Sequence, residues 1–344
     1  MDITNRKIST ITLLDTPFCI KEEYPLETFG KEIVKKSRMN VEKILNSETL
    51  EKMIVIVGPC SIHDYNSALE YAKFLKDCID KYGDKLEIIM RTYFSKPRTS
   101  IGWKGYIYDP DLNGSSDILK GLRNSRKLLL EILKLGVPCS MEHVDTILPQ
   151  YFDDLLSWSA IGARTTESQV HREVASGVSS AIGFKNSTDG NVDIAINAVK
   201  SANNSHSFIG CDIDGNISKI TTLGNDLAHI ILRGGNDGPN YYSNNILCVK
   251  EKLDKANIIK SIIVDCSHGN SLKQHKKQID VCKDICSQIE MGENSIKGIM
   301  LESNICEGNQ NINDKPLKYG VSITDACLDL SDTEDCLDML YKSL

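Results

Sequence analysis

From about residue 53 onward, short β-branched or apolar runs recur, each followed by a longer amphipathic stretch, and this rhythm leaves few folds open. The runs are MIVIVG (53–58), LEIIMR (86–91), VPCSME (137–142), AIGAR (160–164), AIGFK (181–185), AHIILR (228–233), SIIVDCS (261–267) and IKGIMLE (296–302). Helical periodicity fills most of the gaps, as in SALEYAKFLKDCIDKYG and RNSRKLLLEILKLG. Strands that are apolar throughout need cover on both faces, which marks a parallel sheet. Eight such units predict a closed (β/α)8 TIM barrel, an α/β fold, with a doubly wound sheet as the alternative. Two segments break the rhythm. Residues 92–117 form a long polar loop, and SFIGCDIDGNISKITTL (207–223) alternates around Asp214-Gly215 as an inserted β-hairpin does.

Residues 1–50 read differently, as an N-terminal extension with an oligomerisation or regulatory role before a catalytic barrel over 51–344. KISTITLL (7–14) alternates as a strand does, Pro17 and Pro25 interrupt, and LETFGKEIVKKSRMNVEKIL (26–45) has helical periodicity.

What ends each apolar run carries the functional argument. In order these are Cys60, Arg91 with Lys96 and Arg98, Glu142, Arg164, Lys185, Arg233, His268 and Glu302. A barrel assembles its active site from the loops after its strands, so such a series converges on one mouth. Cys60, His268 and Glu302 combine thiolate, imidazole and carboxylate, a donor set that suits one divalent transition metal such as Mn, Fe, Co or Zn. Asp325, in YGVSITDAC, offers a fourth ligand. A mixed set with room for water or a carbonyl is catalytic in character. The remaining cations would repel one another unless anions neutralised them, and guanidinium groups favour phosphate and carboxylate. The site is therefore expected to take two anionic substrates.

The formal net charge of -7 speaks against a nucleic-acid partner, while leaving a cationic cleft open. No apolar run approaches the ~18 residues of a membrane span. The N-terminal MDITNRKIST lacks the apolar core of a signal peptide, so a cytoplasmic location is expected. The twelve cysteines include no CxxC pair. Cys282, Cys286 and His275 would make a metal trio if they met, but buried thiols in a chain this long read as small core residues.

GPCSIHD, MRTYFSKPRTSIGWKG, GARTTESQVHRE, GFKNSTDG, HIILRGG, DCSHGNS and YGVSITDAC together resemble the motif series of class I 3-deoxy-D-arabino-heptulosonate 7-phosphate (DAHP) synthases, closest to the compact subgroup with an N-terminal extension. The resemblance implies condensation of phosphoenolpyruvate (PEP) with erythrose 4-phosphate, at the entry to aromatic amino-acid synthesis. It implies that Cys60, His268, Glu302 and Asp325 ligate the metal. It also implies that Arg91, Lys96, Arg164, Lys185 and Arg233 hold PEP, that Lys96, Arg98 and Thr99 bind the sugar phosphate, and that Ala163 belongs to the substrate site. Catalytic roles fall to Lys185, Glu142, Lys96 and His268, and a homodimer or homotetramer is implied. An aromatic effector, with phenylalanine preferred, is expected near Pro149, Gln150, Ser179 and Phe208. Thr4 and Asn5 replace an expected acidic pair, and Gly210 an expected Ser, which weakens the regulatory pattern. Cys327, two residues beyond Asp325, is placed to link with Cys60 on oxidation. The alternatives are a 3-deoxy-octulosonate 8-phosphate synthase acting on arabinose 5-phosphate, and a non-catalytic sensor that keeps the barrel.

Overall fold

The computed structural model describes residues 3–344. Its strands are β1 (Met53–Gly58), β2 (Leu86–Arg91), β3 (Cys139–Glu142), β4 (Leu156–Ile161), β5 (Ala181–Lys185), β6 (Ser207–Cys211), β7 (Ile217–Thr221), β8 (Ala228–Leu232), β9 (Ile262–Asp265) and β10 (Ile296–Glu302). Eight of them close a parallel barrel in the order β1-β10-β9-β8-β5-β4-β3-β2, while β6 and β7 pair antiparallel outside it. This is the expected (β/α)8 barrel with an inserted hairpin. Closure is made by β1, which pairs with β10 (Ile54 opposite Gly298) and with β2 (Met53 opposite Leu86).

Strand alternation explains the two cores. Ile54, Ile56, Ile89, Trp158, Ile231, Ile263 and Met300 point inward and pack with Tyr93 into a barrel interior. The intervening residues, such as Val55, Val57, Ile88 and Met90, pack in the larger cluster with the surrounding helices. Those helices are α1 (Pro17–Glu23), α2 (Thr28–Asn46), α3 (Tyr65–Tyr82), α4 (Ile118–Lys134), α5 (Pro149–Phe152), α6 (Gln169–Ala175), α7 (Val192–Ala202), α8 (Ser243–Ala256), α9 (Lys277–Glu290) and α10 (Leu330–Ser343). Local chemistry sets several of their ends. Asp64 Oδ1 accepts from the Ser67 N–H at the start of α3, and Asn257 takes the left-handed conformation (φ 54°) that ends α8.

Helix α2 plugs the N-terminal end of the barrel. Its Val41, Ile44 and Leu45 join the interior cluster. Its polar face ties to the starts of the strands: Ser37 and Asn40 both donate to Glu87 (2.7 Å each), and Arg38 donates to the Leu156 carbonyl (2.8 Å). With that floor closed, the mouth at the strand C-termini is where a ligand enters.

Two expectations need correction. KISTITLL forms no strand: residues 8–14 have no ladder partner, and Ile8, Ile11, Leu13 and Leu14 are all exposed. Alternation alone does not make a strand when no edge lies alongside. The fourth strand begins earlier than the AIGAR run, at Leu156, because Ser157 and Ser159 interrupt its apolar pattern. Both serines are nevertheless fully buried.

Candidate active site

A cavity of about 720 Å³ opens at the strand C-termini, lined by Lys96, Arg98, Thr99, Glu142, Ala163, Arg164, Lys185, Arg233, His268, Glu302 and Asp325. Cys60 and Arg91 lie just beneath it, both fully buried. β3, β5 and β10 deliver their last residues, Glu142, Lys185 and Glu302, to this mouth, and the loops after β2, β4, β8, β9 and β10 supply the rest.

One candidate metal-binding donor set is formed here. Ligand atoms of Cys60, Glu302 and Asp325 lie within 4.8 Å of one another, and Cys60 Sγ stands 3.7 Å from Asp325 Oδ2. A thiol and two carboxylates this close fit a borderline divalent cation in donor chemistry. His268 stands beside the trio, with Nε2 3.7 Å from Glu302 Oε1. It sits in the left-handed conformation (φ 58°). Burial, reinforced by Glu302 and Asp325 against the pull of Lys96, pushes the Cys60 thiol up to about 11. Burial also raises the Asp325 carboxyl, but Lys96, His268 and Arg91 outweigh it and hold the group below its ordinary value.

The cations divide by depth. Arg91 is no part of the cavity wall: its guanidinium pairs with Glu302 (2.9 Å), donates to the carbonyls of Pro59 and Cys60, and stacks over Tyr93 (3.7 Å to the ring centre). Lys96 Nζ reaches both the Cys60 carbonyl and Sγ at 3.2 Å. Arg164 Nε donates to Thr99 Oγ1 (3.0 Å), joining the β4 loop to the loop after β2. Burial lowers the Arg233 guanidinium, with Asp265 acting against it. Glu142 is buried at the end of β3, in space that a side chain at Gly162 would fill, since a Cβ there would overlap its carboxylate.

Some contributors were not foreseen from the strand-end series. Asp265, the last residue of β9, accepts from Lys185 Nζ (2.8 Å) and lies 2.9 Å from His268 Nδ1 through the same oxygen. Lys185 therefore has a carboxylate partner inside the expected cationic ring. A chain of side-chain amides sets the loops: buried Asn186 accepts from the Arg233 N–H (2.9 Å) and from half-buried Asn240, whose own N–H donates to buried Asn270 (2.8 Å). Polar residues clustered after strands were the only signal for these, and they do not reveal pairing.

The Cys60 N–H donates to Cys327 Sγ at 3.4 Å, so these two buried residues are neighbours at the strand C-terminal end of the barrel. Cys282, Cys286 and His275 do not form a trio. Both cysteines are buried in the α9 face, whereas His275 precedes that helix and faces Glu307 (3.4 Å). Pro149, Gln150, Ser179 and Phe208 do share a second cavity, of about 920 Å³, between α2, the α5 turn and the hairpin. Ser179 there donates to Asp153 (2.5 Å), and a side chain at Gly210 would crowd Ile220. Thr4 and Asn5 are exposed.

The family model for the DAHP synthetase I family matches residues 38–338. The chain belongs to this family. As a DAHP synthetase I member it is 48% identical to the Trp-sensitive phospho-2-dehydro-3-deoxyheptonate aldolase of Escherichia coli K12, over 98% of this chain and 97% of that one. The Haemophilus influenzae phospho-2-dehydro-3-deoxyheptonate aldolase is 47% identical over 98% of this chain and 93% of its own. A solved phospho-2-dehydro-3-deoxyheptonate aldolase from Francisella tularensis SCHU S4 superposes with a TM-score of 0.96, at 48% identity, covering 98% of each chain. Among the described residues no helix is long and apolar enough to cross a membrane.

Proposed function

We infer that this protein is a metal-dependent DAHP synthase, which condenses PEP with erythrose 4-phosphate and water to give DAHP and phosphate. The observation that carries the chemistry is the convergence, in one barrel mouth, of the Cys60–Glu302–Asp325 donor set with Lys96, Arg98, Arg164, Lys185 and Arg233.

Cys60, His268, Glu302 and Asp325 are the residues that would hold a divalent metal, whose identity among Mn, Fe, Co and Zn the donor set leaves open. When bound, the metal supplies Lewis-acid polarisation of the sugar's aldehyde. Arg164, Lys185 and Arg233 bind the phosphate and carboxylate of PEP, and Arg98, Thr99 and Lys96 bind the sugar phosphate. Arg91 supports the ligand set from below through Glu302 and the Cys60 carbonyl. Holding two mutually repelling phosphates side by side is a large part of what these cations contribute. Attack by C3 of PEP on the aldehyde leaves positive charge at C2, to which water adds. Glu142, fixed in the space beside Gly162, orients or deprotonates that water. Lys185 carries a proton as the resulting hemiketal phosphate loses phosphate by C–O cleavage.

The second cavity is read as an effector site for an aromatic amino acid, with phenylalanine preferred. Two relatives, each 48% identical, carry the names Trp-sensitive and Phe-sensitive, which supports the class of effector. The exposed N-terminal segment and hairpin fit a homodimer or homotetramer.

Substrate choice is tested by following PEP consumption with erythrose 4-phosphate against arabinose 5-phosphate. The expected result is turnover with the four-carbon sugar alone. Preference for the pentose phosphate would move the protein to the octulosonate synthase reading, and turnover with neither would favour the sensor reading.

A further inference from the structure

The Lys185–Asp265–His268 arrangement ties two halves of the site together. Asp265 is fully buried, and every oxygen it has is engaged. Oδ2 takes Lys185 Nζ at 2.8 Å and lies 2.9 Å from His268 Nδ1; Oδ1 takes the Ser267 N–H (3.0 Å) and hydroxyl (2.6 Å). Its backbone carbonyl accepts from Asn270 (2.8 Å). Lys185 arrives from β5 and His268 from the loop after β9, strands separated in the barrel by β8. A single oxygen thus joins β9 to β5 across the intervening β8.

We propose that Asp265 is a positioning residue that links the metal half of the site to the PEP half. Asp265 Oδ2 beside Nδ1 (2.9 Å), together with the Ser267 hydroxyl that Asp265 holds and that stands 2.6 Å from Nδ1, favours the proton on that nitrogen, leaving Nε2, 3.7 Å from Glu302 Oε1, free to take a metal. The same oxygen holds the Lys185 ammonium at the cavity wall, where PEP is bound. Asp265 touches neither substrate nor metal and acts through these two side chains. Asn at this position keeps the shape but offers a single acceptor oxygen without the charge, so it serves neither partner fully.

This inference rests on the metal-dependent reading above, and calorimetry separates the two. Metal-stripped wild type and Asp265→Asn are each titrated with Co²⁺ alone and with PEP alone. The variant is expected to bind Co²⁺ about ten- to hundredfold more weakly, the range seen when a metal ligand loses its hydrogen-bond partner. PEP binding should weaken as well, although residue 265 contacts no PEP. Wild type that binds both while the folded variant matches it within a factor of two overturns this inference alone. Wild type that binds neither overturns the functional reading and this inference together. Should the variant not fold, the His268 tautomer decides on unsubstituted protein. Long-range ¹H–¹⁵N spectra at alkaline pH, assigned by loss of the signal in His268→Gln, are expected to show the proton on Nδ1. A proton on Nε2 overturns the proposal.

Discussion

Single residues divide the barrel mouth between them: Cys60, Glu302 and Asp325 bring one thiol and two carboxylates together, with Lys96 against the thiol and Arg91 against Glu302. Cys60, Glu302 and Asp325 could be named because a thiol and carboxylates at strand ends have few other reasons to converge, and they do lie together. Arg91 could be named as a cation, yet nothing in MRTYFSKPRT reveals that its guanidinium sits under the cavity against Glu302. Asp265 was passed over because a lone strand-end acid says nothing about a lysine 80 residues away. Two substitutions test the residue roles. Cys60→Ala removes the one soft donor and should abolish metal-dependent turnover, with Co²⁺ binding weakened in direct titration; retained binding and turnover would remove Cys60 from the ligand set. Glu142→Gln keeps the shape and loses the base, so kcat should fall by about 10²–10⁴ on the scale of general acid–base contributions. A KM change with kcat intact would instead mark Glu142 as a binding group.

Elements were read well where hydrophobic continuity was strong, as in β1, β2, β5 and β10, whose bounds coincide with the apolar runs. They were misread where a pattern depends on its neighbours. KISTITLL alternates but meets no sheet edge, and β4 hides its start behind Ser157 and Ser159. The β4–β8 region makes a pH prediction. Trp158 donates to His229 Nε2 (3.2 Å) while Nδ1 bonds the Leu227 carbonyl, so the buried imidazole is neutral. Burial pushes its pKa down from 6.5 to about 4. A histidine kept neutral in the fold contributes stability that is full above its unfolded pKa. That contribution is lost as pH falls from about 6.5 toward 4, because only the unfolded chain takes the proton. Thermal melts across that window should lose Tm more steeply in wild type than in His229→Gln; equal slopes would show that His229 does not carry the effect. At the end of β4, Gly162→Ala should displace Glu142 and lower kcat by about 10²-fold on the same scale, with Tm moved little. An unchanged kcat would mean the carboxylate has room to spare.

On the scale of the whole molecule, the barrel divides labour between its ends. Helix α2 closes the floor through Val41, Ile44 and Leu45, so substrates have one way in, and the hairpin and N-terminal segment build a second cavity away from it. Eight repeats made the architecture readable from sequence, whereas the second cavity depends on segments far apart in the chain. Saturating phenylalanine, tyrosine and tryptophan, tested one at a time, should show inhibition by an aromatic amino acid, phenylalanine foremost. No response to any of the three would remove the effector role from that cavity.

In the proposed reaction one metal and a cationic ring act together on two phosphorylated substrates. This joint action is tested most directly by measuring phosphate release from PEP in the presence of erythrose 4-phosphate, before EDTA treatment, after it, and after a divalent metal is restored. The account predicts turnover that disappears on stripping and returns with Mn²⁺, Fe²⁺, Co²⁺ or Zn²⁺. Full turnover in the stripped protein would contradict it.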